Sequence, residues 1–250
     1  MRYLPVAFSW MTVLPVPQRA QLHVDRMGAA RVIFAVPVVG AVVGAFSAAI
    51  AWAAGAAGLP SVVVGGLAVG ACALFTRGMH LDGFADCLDG LGSYGPPERA
   101  RDIMRQGTVG PFGAAALALL LLVDAAAIGE LADRGQWFAI AVAVAAARAA
   151  AVIGCRRGWL PANPDGFGAL TAGTQGVAAQ GFWVAAALAA AVWAVPATPW
   201  QGPAVAAISL VAAGLAMRHC VRRFAGVSGD VYGFGIELAT AVALVGFCVR

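Results

Sequence analysis

Three aspartates, Asp82, Asp86 and Asp89, place their carboxylates within eight residues of a chain in which only 11% of residues are charged. In a helix these positions share one face, within about 60° of arc, because successive residues turn by roughly 100°. Like charges on one face repel one another, and no residue on that face offers a local partner. The spacing therefore predicts that a cation binds there.

Mg2+ fits the predicted carboxylate face best, because it is a hard cation that carboxylates hold together with substrate phosphates. On a helix that rises ~1.5 Å per residue, Asp82 and Asp89 start about 10 Å apart. That separation suits two ions bridged by a diphosphate better than one ion. A solvated acidic face is the alternative interpretation, and the number of ions stays open.

Basic residues follow the aspartates closely. Residues 96–105 predict a short amphipathic helix that begins at its prolines. Arg101 and Arg105 lie one turn apart on this helix and could together hold a phosphate. Surface salt bridges to Glu98 and Asp102 are the alternative.

A glycine-rich turn over residues 107–113, which includes Gly110, leads into an apolar helix. Free N–H groups at a helix N-terminus favour an anion, so this turn predicts a substrate contact. His80, just before the aspartates, is a candidate base or phosphate contact, with a structural histidine as the alternative. Another aspartate beside a glycine, Asp230, follows Gly229 and lies just before the last apolar segment.

Composition identifies the elements that position these residues. The chain has 250 residues, of which 61% are hydrophobic, and a mean hydropathy of +0.83, whereas soluble domains are ~45–50% apolar. We therefore predict an all-α, polytopic membrane bundle in a single domain, residues 1–250, with membrane lipid around it. All 16 basic residues are arginine, and they do not indicate nucleic-acid binding. The five scattered cysteines predict neither a disulfide framework nor a zinc site.

Seven apolar segments predict membrane-spanning helices: residues 32–54, a shorter one ending near 75, and 112–128, 137–154, 181–195, 204–217 and 232–249. Residues 3–17 are short and interrupted by prolines, which predicts an interfacial or re-entrant segment. Residues 76–111 and 155–180 are predicted to be loops. Small-residue pairs at Gly40 and Gly44, and at Gly66 and Gly70, predict close helix packing and are compatible with a homo-oligomer.

The arginines predict the orientation. The N-terminus and the predicted loops 76–111, 155–180 and 218–230 lie on one side and carry thirteen of the 16 arginines. The positive-inside rule places that side in the cytoplasm, in the inner membrane of a bacterium or an archaeon. The aspartates and the other polar segments lie on the same side, which favours an active site over a solvated acidic face.

Ionisable residues inside predicted spans are functional candidates, because burying charge in lipid is unfavourable. Arg148 and Glu237 are the main candidates, and the depth of Glu237, about two turns into the last span, suits a second cation or a polar substrate group. Asp124 is predicted to pair with Arg148 from a neighbouring helix.

Residues 80–90 resemble the signature of the cobalamin synthase family, the adenosylcobinamide-GDP ribazoletransferases. The resemblance continues in chain order through residues 14–17, 37–40, 103–105, Gly110, 112–113, Arg148, 166–170, Gly173, 229–230, Gly233 and Glu237. The chain departs from the family pattern at residues 106–108, at Arg77, where glycine is common, and at Thr240, where a second glutamate is expected. No role is predicted for residues 106–108.

The resemblance implies that adenosylcobinamide-GDP reacts with α-ribazole or its 5′-phosphate and releases GMP, with Mg2+ as cofactor. Asp82, Asp86 and Asp89 are then the expected metal ligands, and Asp86 or His80 the expected proton acceptor. The expected substrate-binding residues are Arg105, Arg101, Gly110, Arg148, Asp230 and Glu237. This is phosphoryl transfer at a diphosphate, for which carboxylates, metal and arginines are the usual groups.

Two other classes of protein remain open. A CDP-alcohol phosphotransferase also clusters aspartates beside glycines, but it typically has Ala-Arg where this chain has Ala85 and Asp86. A transporter would use Asp124, Arg148 and Glu237 as its pathway, although here the polar segments lie on one face instead of at the midplane between repeats.

Overall fold

The structure, a computed structural model, describes residues 3–15 and 24–249, which form twelve α-helices. In chain order they are α1 Leu4–Met11, α2 Arg26–Ala56, α3 Ser61–Phe75, α4 Met79–Gly92, α5 Pro97–Met104, α6 Pro111–Asp133, α7 Trp137–Ala147, α8 Ala149–Gly154, α9 Gly166–Thr171, α10 Val177–Ala191, α11 Gln201–Arg223 and α12 Gly229–Cys248. The predicted all-α membrane bundle is confirmed.

Within the described residues, five helical runs are long and apolar enough to cross a membrane: α2, α6, the run α7–α8, α11 and α12. The pair α3–α4 meets that standard only jointly and is bent by 94°, as in a broken span or a re-entrant loop. α10 is apolar but has only 15 residues. The predicted segments fall on helices, but α3 and α10, which carry the second and the fifth, are each too short to cross alone. The described residues therefore hold five spans, or six if α3–α4 is one, instead of the predicted seven.

The prediction of two long loops was wrong. Residues 76–111 contain α4 and α5, and residues 155–180 contain α9 and the start of α10. The chain turns between α3 and α4 because Arg77 and Gly78 adopt left-handed backbone conformations, with φ of 58° and 64°. The short apolar segment near the N-terminus forms α1, and residues 16–23 lie outside the described part of the chain.

Helix α4 is amphipathic, as the aspartate spacing predicts. His80, Phe84 and Cys87 are buried on one face, and the positions of the three aspartates lie on the opposite face at the same i, i+4, i+7 spacing. The predicted short helix after it is also confirmed as α5, with proline in its first turn.

Helices α4 and α12 approach closely because each presents a glycine to the backbone of the other. A Cβ atom at Gly83 would lie 2.8 Å from the Cα of Asp230, and one at Gly233 would lie 3.1 Å from the Cα of His80. The rings of Phe84 and Phe234 stack beside this crossing with centroids 5.5 Å apart. The crossing places Asp230 beside the aspartates of α4.

Glycines also determine how the apolar helices pack. A Cβ atom at Gly40 or Gly44 would overlap the α7 segment, at Arg148 and at the carbonyl of Ala141 respectively, so the predicted close packing of this pair is confirmed. The prediction for Gly66 and Gly70 was wrong, since a Cβ atom at either position would meet nothing within 4 Å. Their neighbour Gly65 makes the close contact instead.

Replacing Gly65 by alanine should destabilise the protein, because the new methyl group would overlap the carbonyl oxygen of Ala125 on α6. We expect a loss of about 1–3 kcal/mol of unfolding free energy, as for other overpacked sites. Gly66→Ala is the matched control, because its methyl group enters open space. The measurement is the apparent Tm in detergent, and equal values for the two variants would contradict this packing.

Candidate active site

A cluster of unpaired carboxylates lies where α4 crosses the start of α12. Asp82 is exposed, and Asp86 and Asp230 are partly buried. The ion pairs among the described residues join Arg101 to Glu98, Arg105 to Asp102 and Arg134 to Glu130. None of them neutralises Asp82, Asp86 or Asp230. The cluster therefore concentrates negative charge at one place.

The pKa of Asp86 reflects its burial and the carboxylates around it. The pKa of Asp86 is raised to about 7, first by burial and then by the negative charges of Asp82, Asp230 and Asp89. Asp86 lies on α4, outside the five helical runs that can cross a membrane alone. A cation close to these carboxylates would favour their ionised forms.

The donor set suits a hard divalent cation but does not form a closed cage. In the described part of the chain, no three His, Cys, Asp or Glu side chains converge as a ready-made metal site. Mg2+ is commonly held by one or two carboxylates, by water and by substrate phosphates. Asp82, Asp86 and Asp230 therefore fit a metal ion that arrives with, or is completed by, a phosphate ligand.

The third predicted metal ligand, Asp89, has a different partner. Its two carboxylate oxygens accept hydrogen bonds from the backbone N–H groups of Gly110, at 2.7 Å, and Gly113, at 2.8 Å. These groups belong to the N-terminus of α6, where a negative charge is stabilising. The sequence predicted an anion at this glycine turn, and that anion is Asp89 itself. Both its oxygens and the Gly110 N–H are engaged in this cap. That Asp89 binds metal and Gly110 binds substrate stays a prediction, and these hydrogen bonds do not favour it.

Arg101 of α5 and Arg105, the residue that follows α5, form the salt bridges that were the alternative to a phosphate site. Arg101 donates to the carbonyl of Phe224 at 2.7 Å and to Glu98 at 3.2 Å, which anchors α5 to the end of α11. Arg105 donates to Asp102 at 2.5 Å and to Asn163 at 3.2 Å. The Arg105 side chain is 59% exposed, against 18% for Arg101. Arg105 is therefore the one that can turn toward a ligand.

Beside the carboxylates, α1, α2, α4, α9 and α12 enclose a cavity of about 530 Å3. Asp82, Asp230 and His80 line its polar side, and Trp10 and Phe167 line its aromatic side. A cavity of this size can hold a nucleoside-sized ligand. Sequence reasoning missed Trp10 because an aromatic residue in a short apolar stretch carries no distinctive signal.

A second polar cluster is buried among the spanning helices. Arg148, Glu237 and Asp124 line a small cavity of about 40 Å3, which has room for about three water molecules. Arg148 and Glu237 are only 4% and 9% exposed. The predicted direct pair of Asp124 with Arg148 is not among the ion pairs of the described residues.

The contacts of this buried cluster indicate a structural role. Arg148 donates to the carbonyl of Val144 at 2.9 Å and to the hydroxyl of Thr240 at 3.4 Å. Glu237 lies 3.7 Å from Nδ1 of His80, so His80 separates this cluster from the larger cavity. That Arg148 and Glu237 contact substrate stays a prediction, and their burial does not favour it.

The family model described as cobalamin-5-phosphate synthase matches residues 3–248. The chain is similar to the adenosylcobinamide-GDP ribazoletransferase of Corynebacterium efficiens, with 39% identity over 97% of this chain and 89% of the relative. The proteins of the same name from Corynebacterium diphtheriae and Frankia casuarinae are each 35% identical, over 97% and 96% of this chain and 90% and 91% of the relatives. No solved structure matches the chain.

Replacing Asp89 by asparagine should destabilise the metal-free protein, because an amide group offers the α6 N-terminus one acceptor where two are needed. We expect a loss of about 1–2 kcal/mol, as for other lost helix caps. Asp82→Asn is the matched control and should leave the apparent Tm in EDTA unchanged or raise it, since it removes a repelling charge. If Asp89→Asn melts with the wild type in EDTA, Asp89 does not act as the cap.

Proposed function

Because the chain belongs to the cobalamin-5-phosphate synthase family, we propose that it transfers the adenosylcobinamide-phosphate group from adenosylcobinamide-GDP to α-ribazole or its 5′-phosphate. GMP is released, and the nucleotide loop of cobalamin is assembled. The observation that carries this proposal is the match over almost the whole chain to relatives that bear the name of this transferase.

The reaction forms one bond at phosphorus and breaks another. A hydroxyl of the ribazole sugar attacks the phosphorus next to the cobinamide arm, loses its proton, and displaces GMP, which keeps the bridging oxygen. Asp82, Asp86 and Asp230 carry the same sign of charge as the diphosphate and would repel it if they acted alone. This conflict supports Mg2+ as the cofactor, because the residues offer the oxygen donors that it prefers. When bound, Mg2+ would neutralise charge on the diphosphate and on the departing GMP.

The chain's own residues have separate tasks in this proposal. Asp82 and Asp86 hold the cation from α4, and Asp230 holds it from α12. Arg105, which is exposed and bound only to neighbouring side chains, turns to bind a phosphate oxygen, while Arg101 keeps α5 in place. Of the two predicted proton acceptors, Asp86 and His80, the better placed is His80, because it lines the cavity beside Asp82.

We place the enzyme in the cytoplasmic membrane, with its N-terminus and carboxylate cluster facing the cytoplasm. The apolar helices support the membrane location, and the arginine distribution supports the orientation. A homo-oligomer is also part of the proposal, since a Cβ atom at Gly66 or Gly70 of α3 would meet no atom of the described residues within 4 Å.

Detergent-solubilised protein given adenosylcobinamide-GDP, α-ribazole 5′-phosphate and Mg2+ should release GMP and form a cobalamin product. EDTA should stop both, and added Mg2+ should restore them. The measurement is chromatography of both products. Absence of GMP from protein that elutes as a folded species would overturn the proposed activity, and GMP release unaffected by EDTA would overturn only the metal.

Asp82→Asn should lower the rate at least about a hundredfold, the order of magnitude for losing a group that stabilises transition-state charge. Because Asp82 is exposed, the variant should keep the wild-type Tm. Asp133→Asn is the matched control and should keep the wild-type rate, since Asp133 is an exposed carboxylate at the C-terminal end of α6 that does not line the cavity. Equal GMP release by Asp82→Asn and the wild type would remove Asp82 from the metal site.

A further inference from the structure

The large cavity has an aromatic wall that none of the proposed catalytic groups uses. The rings of Trp10 and Phe167 meet edge to face with centroids 5.2 Å apart, and Phe167 meets Tyr232 in the same way at 6.1 Å. The hydroxyl of Tyr232 lies 3.2 Å from the hydroxyl of Thr171. Tyr232 therefore directs its polar atom at Thr171, and its ring contributes to the wall.

The aromatic wall is more exposed than the side chains of an apolar core. Phe167 is 39% exposed, and the space beside it belongs to the cavity of about 530 Å3. Aromatic side chains normally bury most of their area in a folded protein. An apolar recess with convergent polar groups at one side has the general character of a small-molecule site.

The position of the wall relative to the carboxylates is held by Arg77. One terminal nitrogen of its guanidinium, Nη2, donates to the carbonyl oxygens of Ser9, at 3.3 Å, and Trp10, at 3.1 Å. These contacts tie the end of α1 to the turn between α3 and α4. Because Asp82 lies only five residues after Arg77, these hydrogen bonds connect the aromatic wall to the carboxylates through a short segment of chain.

We propose that this recess binds the aromatic base of α-ribazole, with the ribose directed toward Asp82 and Asp230. The inference rests on the proposed function and specifies which substrate occupies the cavity. The base of ribazole is a dimethylbenzimidazole, a flat fused ring whose far edge carries only methyl groups. Flat heterocycles pack favourably on aromatic side chains without a need for specific hydrogen bonds.

The lining of the recess distinguishes this base from the other parts of the substrates. The side chains behind the aromatic wall include Met11, Ile33, Val36 and Ile236, all of them apolar. Guanine would have to bury its amide and amino groups against these side chains without partners, which is unfavourable. The corrin ring of the donor is far larger than a nucleoside and exceeds the space.

Phe167→Ala tests the proposal, with Phe138→Ala as the matched control. Phe138 is a partly exposed aromatic residue of α7, 49% exposed, and does not line the cavity. Binding of α-ribazole alone to the folded, solubilised protein should weaken about thirtyfold in Phe167→Ala, the middle of the range for loss of one stacking contact. KM for α-ribazole should rise by the same factor, while KM for adenosylcobinamide-GDP should change by less than about twofold. Phe138→Ala should leave all three quantities unchanged.

Wild-type affinity for α-ribazole in folded Phe167→Ala would overturn the inference, and so would an effect confined to the KM of adenosylcobinamide-GDP. Trp10→Leu provides a second variant if Phe167→Ala does not fold, and the same expectations apply to it. A wild-type protein that neither binds α-ribazole nor releases GMP would remove the proposed function itself. Product formation by the wild type with an insensitive Phe167→Ala would remove only the assignment of the base.

Discussion

The close crossing of α4 over the first turns of α12 is the constraint on which the candidate site depends. Two glycines, Gly83 and Gly233, let the backbones approach to a distance that a side chain at either position would prevent. This approach brings Asp230 next to Asp82 and Asp86 and brings Glu237 next to His80. The contact between α4 and α12 therefore determines both the position of the carboxylate cluster and the position of His80 beside the buried polar cluster.

The protein treats its carboxylates on α4 in two different ways. Asp89 faces the N-terminus of α6, where backbone N–H groups and the helix dipole stabilise its charge. Asp82 and Asp86 face a third carboxylate and receive no cationic side chain from the described part of the chain. An arrangement that repels itself is unfavourable for stability alone, so it indicates a binding partner of opposite charge. The nearby Arg101 and Arg105 pair with Glu98 and Asp102 and therefore do not neutralise this cluster.

The polar groups inside the bundle form a separate system. Arg148, Asp124 and Glu237 surround a space that suits a few water molecules, and Arg148 bonds to Thr240 at the position where a second glutamate is expected in the family. Charged groups at such depth must be satisfied internally, because lipid offers no hydrogen bonds. His80 lies between this buried cluster and the large cavity: it lines the cavity and lies 3.7 Å from Glu237. The side chain of His80 therefore contacts both the buried polar cluster and the candidate site.

The sequence by itself determined the fold class, the helical face that carries Asp82 and Asp86, and the family, because hydropathy, helical periodicity and motifs are local properties of the chain. It did not determine the partner of Asp89, because the N–H groups that bind it lie 21 and 24 residues away along the chain. Nor could it separate Gly65 from Gly66, since adjacent helical positions face different neighbours and only the packed bundle decides which one is crowded. The aromatic wall likewise joins Trp10, Phe167 and Tyr232 from three distant helices. Such contacts exist only after the chain has folded, and tertiary structure alone therefore decided which residues share the site.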